Sequence, residues 1–403
     1  MINSNSFKKF DSKYGTLLSL YLAQSIPMTF FATVMPVIMR TEHYSLTSIG
    51  LIQLVKLPWI LKFIWAPLID KSAGIISKYK TWIISSEIVY AIIILGTAFL
   101  SIELNFTLII VFLLFAFTAS ATQDIATDAF AVLILKKEER SIGNSMQSAG
   151  SFLGTITGSG VMLIIYHYFG WVLLLVALAI FVLIALLPLY LYNSKEIYYK
   201  KQKETASIKD IASFFKQKKI GYRILLLLFY YSGLIGILTM IKPWMVDLGY
   251  SIKNIGIISG VYGALTGAIM AIFAGFLIRK IGKKTSLILF SAISLFVAIY
   301  VLYLSNGNVN HISLLIAIML IWGAYGMASV IIYTISMDNV RAGREGTDFT
   351  IQIVLTHIGG LFLAVLSGKI AHNFGYSGLF LTETILGATI LIALPFLYKE
   401  KIS

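Results

Sequence analysis

The sequence contains no cysteine among its 403 residues. Disulfide bonds, thiolate metal sites and cysteine-based catalysis are therefore excluded. Charged residues are also scarce: they make up 12% of the chain, whereas soluble domains carry about 25%. Apolar residues make up 58%. This composition predicts an integral membrane protein.

Acidic residues are outnumbered by basic ones, 18 to 32, which gives a formal net charge of +14. A basic excess can indicate a nucleic-acid partner, but here the lysines and arginines concentrate at the termini and in alternate connections between apolar segments. That asymmetry follows the positive-inside rule and places both termini in the cytoplasm. We therefore expect no nucleic-acid partner. No cleavable signal pattern precedes the first apolar segment.

Apolar segments long enough to cross a bilayer as helices recur along the whole chain. We expect twelve spans at residues 15–39, 46–69, 81–101, 107–135, 141–166, 171–193, 223–246, 252–278, 284–304, 311–336, 346–371 and 376–398. The longest polar stretch divides them six and six. The sequence thus predicts an all-α membrane protein with an N-terminal six-helix half (1–193), a cytoplasmic linker (194–222) and a C-terminal six-helix half (223–403).

The linker carries a helix signal of its own. The pattern Ser207-x-x-Asp210 is typical of a helix start, and Ile208, Ile211 and Phe214 recur behind it at helical spacing among lysines. We expect a short amphipathic helix on the anionic inner leaflet. It is either a tether between the halves or a lipid-recognising element.

The two halves repeat weakly in their connections. Gln147 and Gly154 follow the fourth-to-fifth connection, and Gln352 and Gly359 follow the tenth-to-eleventh at the same offset. Two six-helix halves related by an axis along the membrane normal are typical of transporters of the major facilitator superfamily.

The segment Gly275–Lys284, between the eighth and ninth spans, resembles the cytoplasmic loop motif of that superfamily, Gly-x-x-x-Asp-Arg/Lys-x-Gly-Arg/Lys-Arg/Lys. Arg279 stands where the motif has its acid, whereas the corresponding connection of the first half keeps one, Asp70. We expect Asp70 either to pair with basic groups at the seam between the halves, as a charge latch, or to be a solvated loop charge. Arg140 and Arg344, in the other repeated connections, and Arg279 are candidates for gating or structural roles.

Two carboxylates, Asp124 and Asp128, interrupt the fourth span. A carboxylate at mid-bilayer costs roughly 2.5–3.5 kcal/mol, so two of them need a reason. Spaced four residues apart, they project from one helix face, with Gln123 beside them. A single polar stripe predicts a surface that faces protein or a water-filled cavity. Two interpretations stay open: a substrate or proton pathway, and a structural ion pair with a neighbouring helix.

Two lysines lie in the second span. From the topology, Lys56 falls near the depth of Asp124, and Lys62, nearer the cytoplasm, near that of Asp128. We therefore predict two intramembrane contacts, Lys56 with Asp124 and Lys62 with Asp128, in which each charge offsets the desolvation cost of the other. Snorkelling towards the headgroups is an alternative for Lys62.

Three residues of the second half are further pathway candidates. His357 in the eleventh span is either a proton carrier or a hydrogen-bonded histidine between helices, with Glu383 as its candidate partner. Lys242, at the outer end of the seventh span, either binds an anionic group of a solute or snorkels. Tyr325 belongs to a set of aromatic residues in spans seven and ten that either stack on sugar rings or pack the core: Tyr230, Tyr231, Trp322, Tyr325 and Tyr333.

Small residues at a spacing of four predict close helix packing. The fifth span has Gly150, Gly154 and Gly158, and similar faces occur in the eighth and eleventh spans. Prolines in the first, second and seventh spans permit kinks there.

Two segments of the first half carry a more specific resemblance. The second-span segment from Leu57-Pro-Trp to Trp65-Ala-Pro-Leu-Ile-Asp70 is similar to a signature of the muropeptide permeases (AmpG type), and Ser120-Ala-Thr-Gln-Asp-Ile-Ala-Thr-Asp-Ala129 to their fourth-span signature. The same broad group includes acetyl-coenzyme A transporters. The resemblance implies proton-driven import of N-acetylglucosaminyl-anhydro-N-acetylmuramyl-peptide across the bacterial inner membrane, for cell-wall recycling. It also implies transport roles for Gln123, Asp124 and Asp128, and structural or gating roles for Lys62 and Asp70.

We therefore expect a secondary transporter that works by alternating access, as a monomer without cofactor, metal or catalytic residues. Its expected partners are a sugar-peptide solute, the proton and the lipid bilayer. Alternatives in the same class are transport of acetyl-coenzyme A or another amphiphilic solute, and export. A membrane-embedded enzyme and a non-transporting receptor or scaffold are rivals of other classes, but the chain has neither His-Glu-x-x-His nor Gly-x-Ser-x-Gly.

Overall fold

A computed structural model describes residues 12–41, 55–73, 75–101, 104–192, 206–307 and 309–398. Within these residues every regular element is helical and none is a strand, which confirms the all-α prediction. The beginning of the predicted second span (46–54) and the first part of the linker (194–205) lie outside the described residues.

The helices follow one another without intervening domains. Up to the linker they are Ser12–Thr29, Phe30–Val34, Met35–Thr41, Leu57–Leu61, Lys62–Ile64, Ala66–Ala73, Ile76–Ala98, Phe106–Ile134, Arg140–Ile156, Thr157–Val161, Met162–Ala185 and Leu187–Leu191. From the linker onwards they are Lys209–Phe215, Ile220–Phe229, Ile235–Asp247, Ile252–Ile255, Gly256–Gly263, Ala264–Ile281, Lys283–Ser305, His311–Asp338 and Glu345–Leu397. Lys62–Ile64 is a 3-10 turn, and three short segments are wider π turns: Phe30–Val34, Thr157–Val161 and Gly256–Gly263.

Eight continuous helices in the described residues are long and apolar enough to cross a membrane. Two of them, Arg140–Leu191 and Glu345–Leu397, contain 52 and 53 residues. A straight helix of that length would measure roughly 80 Å, more than twice the thickness of the hydrocarbon core. Each instead folds back at a glycine with positive φ, Gly170 (72°) and Gly375 (69°), and supplies two crossings. The interrupted segments 55–73 and 220–247 supply two more, so the described residues contain helix for each of the twelve predicted spans.

The interruptions of the second and seventh spans have local causes. In the second span, Pro58 lies in the first turn of Leu57–Leu61, where its missing N–H costs no hydrogen bond, and a 3-10 turn separates that helix from Ala66–Ala73. In the seventh span, the residues after Phe229 leave the helix, and Gly233 adopts a φ of 88° before a new helix begins at Ile235.

The chain forms two compact units. Unit 1 contains Met1–Lys136, Gly150–Ile211 and Val340–Thr350, and unit 2 contains Lys137–Ala149, Ala212–Asn339 and Ile351–Ser403. Each unit thus includes one short segment from the other half of the sequence. The predicted division into 1–193, 194–222 and 223–403 stays a prediction. The helix predicted inside the linker is present at Lys209–Phe215.

Each unit has an apolar core of its own. In unit 1, Phe31 packs edge-to-face on Phe30 and Phe117, with ring centroids 4.8 and 5.4 Å apart. In unit 2, the Trp244 ring lies 5.2 Å from that of Phe380. Because lipid tails are as apolar as these side chains, close packing rather than exclusion from water holds such helices together.

The glycines of the fifth span confirm the predicted close packing. A Cβ atom at Gly150 would lie 2.7 Å from the carbonyl oxygen of Leu18, and one at Gly158 would collide with the carbonyl oxygen of Ile26. The first and fifth spans therefore touch through their backbones. A Cβ atom at Gly160, two residues further on, would meet no atom within 4 Å.

We predict that Gly158→Ala lowers the unfolding temperature in detergent, whereas Gly160→Ala does not. The extra methyl at position 158 forces the first span away and lowers the free energy of unfolding by about 1–3 kcal/mol. At position 160 the methyl is accommodated, and alanine adds up to about 1 kcal/mol of helix propensity. Thermal unfolding of both variants measures the difference, and equal unfolding temperatures would contradict the packing described here.

Candidate functional site

The polar stripe of the fourth span is enclosed by protein. Asp124 and Asp128 are 5% and 1% exposed, and Ser120, Gln123 and Thr127 are equally buried. All five lie on the helix Phe106–Ile134, where offsets of three and four residues bring side chains to neighbouring positions. The prediction that the stripe faces the protein interior is confirmed.

The ammonium of Lys62 and the carboxylate of Asp124 form an ion pair in this interior. Lys62 is 1% exposed, and its Nζ also lies 4.9 Å from the centroid of the Trp59 ring. Nearby, the indole N–H of Trp65 donates to the hydroxyl of Thr122 at 3.1 Å. The second and fourth spans are therefore joined by polar contacts at the level of the carboxylates.

The predicted partners Lys56 with Asp124 and Lys62 with Asp128 are wrong. The structure pairs Lys62 with Asp124, and Lys56 is only half-buried. The prediction treated the second span as one regular helix. The 3-10 turn that begins at Lys62 breaks this regularity and turns the Lys62 side chain inward.

Asp128 is bound by the first span instead. The hydroxyl of Tyr21 donates to Asp128 Oδ1 at 2.7 Å, and Gln24 Nε2 donates to Gln123 Oε1 at 2.6 Å. Sequence reasoning missed both Tyr21 and Gln24. Their spacing of three residues in an otherwise apolar span is the signal that places them on one helix face, next to the stripe.

The site contains more negative than positive groups, and some of its polar atoms have no hydrogen-bond partner among the described residues. Two carboxylates face one ammonium, and Asp128 accepts a hydrogen bond from a neutral phenol. The buried Gln123 Nε2 and Thr127 Oγ1 have no hydrogen-bond partner within the described residues. Buried polar groups are normally satisfied, so two unsatisfied atoms beside the carboxylates set this interior apart from an ordinary packed core.

Asp70 caps the start of the eleventh span. Its carboxylate accepts hydrogen bonds from the backbone N–H groups of Gly346 (2.9 Å) and Thr347 (2.7 Å), from the Thr347 hydroxyl (2.6 Å) and from the Tyr79 hydroxyl (2.7 Å). These residues all belong to unit 1.

The expectation that Asp70 pairs with basic side chains is therefore wrong. The alternative, a solvated loop charge, is wrong too, because Asp70 is only 4% exposed. Its partners are the unsatisfied N–H groups at the beginning of the helix Glu345–Leu397 and two hydroxyls. A helix N-terminus carries a partial positive charge and stabilises a carboxylate as a basic side chain would.

Arg344 and the linker helix meet at a second polar contact of unit 1. Arg344 Nε donates to Asp210 Oδ1 at 2.9 Å, and Arg341 forms an ion pair with Asp348 at 2.6 Å. Asp210 also accepts from the Ser207 N–H at 2.8 Å, as the predicted helix start requires. Burial acts to raise the pKa of Asp210, but the Ser207 hydrogen bond and Arg344 together hold it below its usual range.

In unit 2, Arg140 and Lys283 share one acid, Asp338. Arg140 Nη1 lies 3.0 Å from Asp338 Oδ1 and donates to the Met337 carbonyl oxygen at 3.0 Å, while Lys283 pairs with Asp338 Oδ2. Arg279, by contrast, is exposed. Sequence reasoning missed Asp338, although it is the last residue of the long helix His311–Asp338 and precedes a basic connection.

The aromatic residues of spans seven and ten come together, also in unit 2. The Tyr231 ring lies 5.8 Å from Tyr230 and 5.6 Å from Tyr325, and Trp322 lies 6.4 Å from Tyr325. The Tyr230 hydroxyl donates to the Leu287 carbonyl oxygen at 3.1 Å. Tyr325 is half-buried, so part of its ring faces open space.

The remaining candidates of the second half, Lys242 and His357, do not share the buried environment of the aromatic cluster. Lys242 is exposed on the helix Ile235–Asp247, and His357 is exposed on the eleventh span. Glu383, the candidate partner of His357, binds elsewhere. Its buried carboxylate accepts a hydrogen bond from the backbone N–H of Gly233 at 3.0 Å.

Comparisons with known proteins agree on one class. The sequence profile of the Major Facilitator Superfamily matches residues 17–359. The chain is 22% identical over 386 residues to the "Anhydromuropeptide permease" of Escherichia coli (strain K12), covering 94% of this chain and 78% of that protein. It is 26% identical over 407 residues to "Putative transporter AmpG 3" of Rickettsia prowazekii, covering 96% and 95%. A crystal structure of the transporter FucP in its outward conformation matches with a TM-score of 0.73 at 15% identity, over 96% of this chain and 99% of that one.

We predict that Lys62 and Asp124 are energetically coupled. Lys62→Met and Asp124→Asn each leave a buried group without its partner, and each is expected to lower the free energy of unfolding by about 3–5 kcal/mol. The double variant should lose clearly less than the sum of the two single losses. Unfolding of the three variants in detergent gives the coupling energy.

Lys56→Met combined with Asp124→Asn is the matched control for that cycle. Because Lys56 does not contact Asp124, these two losses should add to within about 0.5 kcal/mol. Coupling with Lys56 and additivity with Lys62 would reverse the pairing seen here.

We predict that Asp70→Ala exposes the first turn of the eleventh span to hydrogen exchange. Losing the acceptor of two backbone N–H groups is expected to cost about 0.5–2 kcal/mol, as for other helix caps. Exchange of residues 345–350, followed by mass spectrometry, measures this loss. Lys71→Ala, at the exposed neighbouring position, should leave that exchange unchanged; equal protection in both variants would show that Asp70 is not the cap.

Proposed function

Because the chain belongs to the Major Facilitator Superfamily, whose members are multi-pass membrane transporters, we propose that it imports anhydro-muropeptides across the bacterial inner membrane. In this proposal the proton gradient drives uptake by alternating access, the protein works as a monomer, and both termini lie in the cytoplasm. The Escherichia coli relative that carries the name of this solute matches over 94% of the chain, which supports the solute class.

One observation carries the proton-driven mechanism: two buried carboxylates share a single ammonium in the fourth-span site. The second carboxylate, on Asp128, accepts a hydrogen bond from the Tyr21 phenol and shares the Lys62 ammonium with Asp124. In a low-dielectric interior an uncompensated negative charge is costly, so a proton binds there more readily than at the surface. Binding a proton makes the site electrically neutral, and a change of net charge favours a different conformation.

The solute would be recognised by two kinds of group. In unit 1 the unpaired Gln123 Nε2 and Thr127 Oγ1 suit the hydroxyl, amide and carboxylate groups of a sugar-peptide. In unit 2 the aromatic cluster with Tyr325 presents rings on which the apolar faces of sugars stack. Lys56, Lys242 and His357 are further candidates for contacts with anionic or titrating groups of the solute.

Gating is assigned to the contacts of the connections. Opening the predicted cytoplasmic side would require Asp70 to release the first turn of the eleventh span, and Arg140 to release Asp338. Arg344, through Asp210, would tie the linker helix to the same movement. These contacts are short and local, so each can break without unfolding a span.

Uptake into proteoliposomes tests the proposal. Purified protein is reconstituted, a pH gradient is imposed, and radiolabelled N-acetylglucosaminyl-anhydro-N-acetylmuramyl-peptide is supplied outside. We expect accumulation of the unaltered solute that collapses when a protonophore removes the gradient. Absence of uptake, with acetyl-coenzyme A transported instead, would overturn the solute assignment.

Two variants test the role of the carboxylates in the same assay. Asp124→Asn and Asp128→Asn should both abolish accumulation against a gradient, and Asp128→Asn keeps the oxygen that accepts from Tyr21 and so preserves the fold. Glu138→Gln, an acid-to-amide change in an exposed connection, is the matched control and should transport normally. Full accumulation by both aspartate variants would remove the pair from the mechanism.

A further inference from the structure

Glu383 is a buried acid that the transport site of unit 1 does not use. It lies in unit 2, on the second arm of the hairpin that turns at Gly375, and is 2% exposed. The described part of this arm contains no other acidic or basic residue. A carboxyl group so placed in a membrane helix is costly unless it has a function.

The partners of Glu383 are backbone N–H groups at the interruption of the seventh span. The N–H of Gly233 donates to Glu383 Oε2 at 3.0 Å, the N–H of Gly236 donates to the same carboxyl group, and the Ser367 hydroxyl lies beside it. Gly236 lies in the first turn of the helix Ile235–Asp247, whose initial N–H groups have no partner within their own helix. The carboxylate therefore satisfies donors that the interruption leaves open.

Packing fixes the acid against this interruption. A Cβ atom at Gly236 would collide with Glu383 and Ser367, and one at Gly233 would lie 2.7 Å from the Cα of Gly387, one turn beyond Glu383. The seventh and twelfth spans therefore meet backbone to backbone on either side of the carboxyl group. Any movement of these non-helical residues of the seventh span therefore changes the hydrogen bonds that Glu383 accepts.

No opposite charge neutralises Glu383. Its environment in the described residues consists of hydrogen-bond donors without a charged neighbour. His357, Lys369 and His372 on the first arm of the same hairpin, and Lys242 on the seventh span, are titratable residues close to it along the chain, and all four are exposed. Tyr230 and Tyr231 lie within the interruption, and their hydroxyls bind the Leu287 carbonyl oxygen and Ser329.

The Ser367 hydroxyl can serve both protonation states. It donates to the Leu363 carbonyl oxygen at 2.7 Å, which leaves its oxygen as an acceptor for a protonated carboxyl group. Turned towards Glu383, the same hydroxyl donates to a carboxylate. A protonated Glu383 can thus donate to the Ser367 oxygen, and an ionised Glu383 can accept from the Ser367 hydroxyl.

We propose that Glu383 is a proton-binding site of unit 2, and that its proton occupancy controls the interruption of the seventh span. The ionised carboxylate holds the N–H groups of Gly233 and Gly236 strongly, because charged acceptors bind donors more tightly than neutral ones. Protonation weakens both bonds and frees the segment that carries Tyr230 and Tyr231. The aromatic cluster of unit 2 is thereby linked to a proton. The use of this site in transport rests on the proposed function, whereas the proton binding does not.

Hydrogen exchange as a function of pH tests the inference on the full-length protein in detergent. After correction for intrinsic rates, exchange in residues 228–238 should be about tenfold faster at the low end of a range of about pH 5 to 9, the difference between a neutral and a charge-assisted hydrogen bond. Glu383→Gln mimics the protonated acid and should exchange at the fast level at every pH. Glu87→Gln, which removes another buried acid in the third span, is the matched control and should retain the pH dependence of the parent protein.

Exchange in residues 228–238 that is independent of pH in the parent protein, or a pH dependence that survives in Glu383→Gln, would overturn the inference. Should Glu383→Gln fail to fold, Ser367→Ala decides. It removes a donor to the carboxylate, so the midpoint of the exchange transition should move to higher pH, and an unmoved midpoint counts against the site. No solute is present in these measurements. Failed muropeptide uptake would therefore refute the proposed function and leave this result standing.

Discussion

A charged group inside the hydrocarbon layer must find its partner within the protein, because lipid offers none. In unit 1 the ion pair of Lys62 and Asp124 meets this constraint and joins the second span to the fourth. The neighbouring polar contacts, Tyr21 on Asp128 and Gln24 on Gln123, follow from the same need. Two buried carboxylates, Asp124 and Asp128, thus lie in the same space as a single ammonium.

Buried acids in this protein are stabilised in two physically different ways. Asp124 is paired with a lysine, so its charge state affects a flexible side chain. Asp70 and Glu383 accept hydrogen bonds from backbone N–H groups where a helix begins. Those donors are fixed in the main chain, and they separate from the acid only when the helix itself moves. The hydrogen bonds of Asp70 and Glu383 therefore depend on backbone conformation, whereas the ion pair of Asp124 depends on a side chain.

The twelve spans and the enclosed stripe of the fourth span were predictable, because hydropathy and charge spacing depend on short stretches of sequence. The residues that pair with the buried charges could not be predicted in this way. Lys62 reaches Asp124 because a 3-10 turn breaks the second span, and the prediction assumed a regular helix. Asp70 binds backbone groups, which have no sequence signature of their own. Asp338 and Tyr21 acquire meaning only when distant helices are brought together.

Helix interruptions and buried acids occur side by side in both units. Lys62, the partner of Asp124, begins the 3-10 turn of the second span, and Glu383 faces the interruption of the seventh. Each feature alone is unfavourable in a membrane, since an interrupted helix exposes N–H groups and an isolated acid lacks donors. In unit 2 they satisfy one another, since Glu383 accepts from the N–H of Gly233; in unit 1 the acid is satisfied by the side chain of Lys62. In unit 2 the acid and the interruption are therefore parts of one arrangement, because the donors of Glu383 belong to the backbone that leaves the helix.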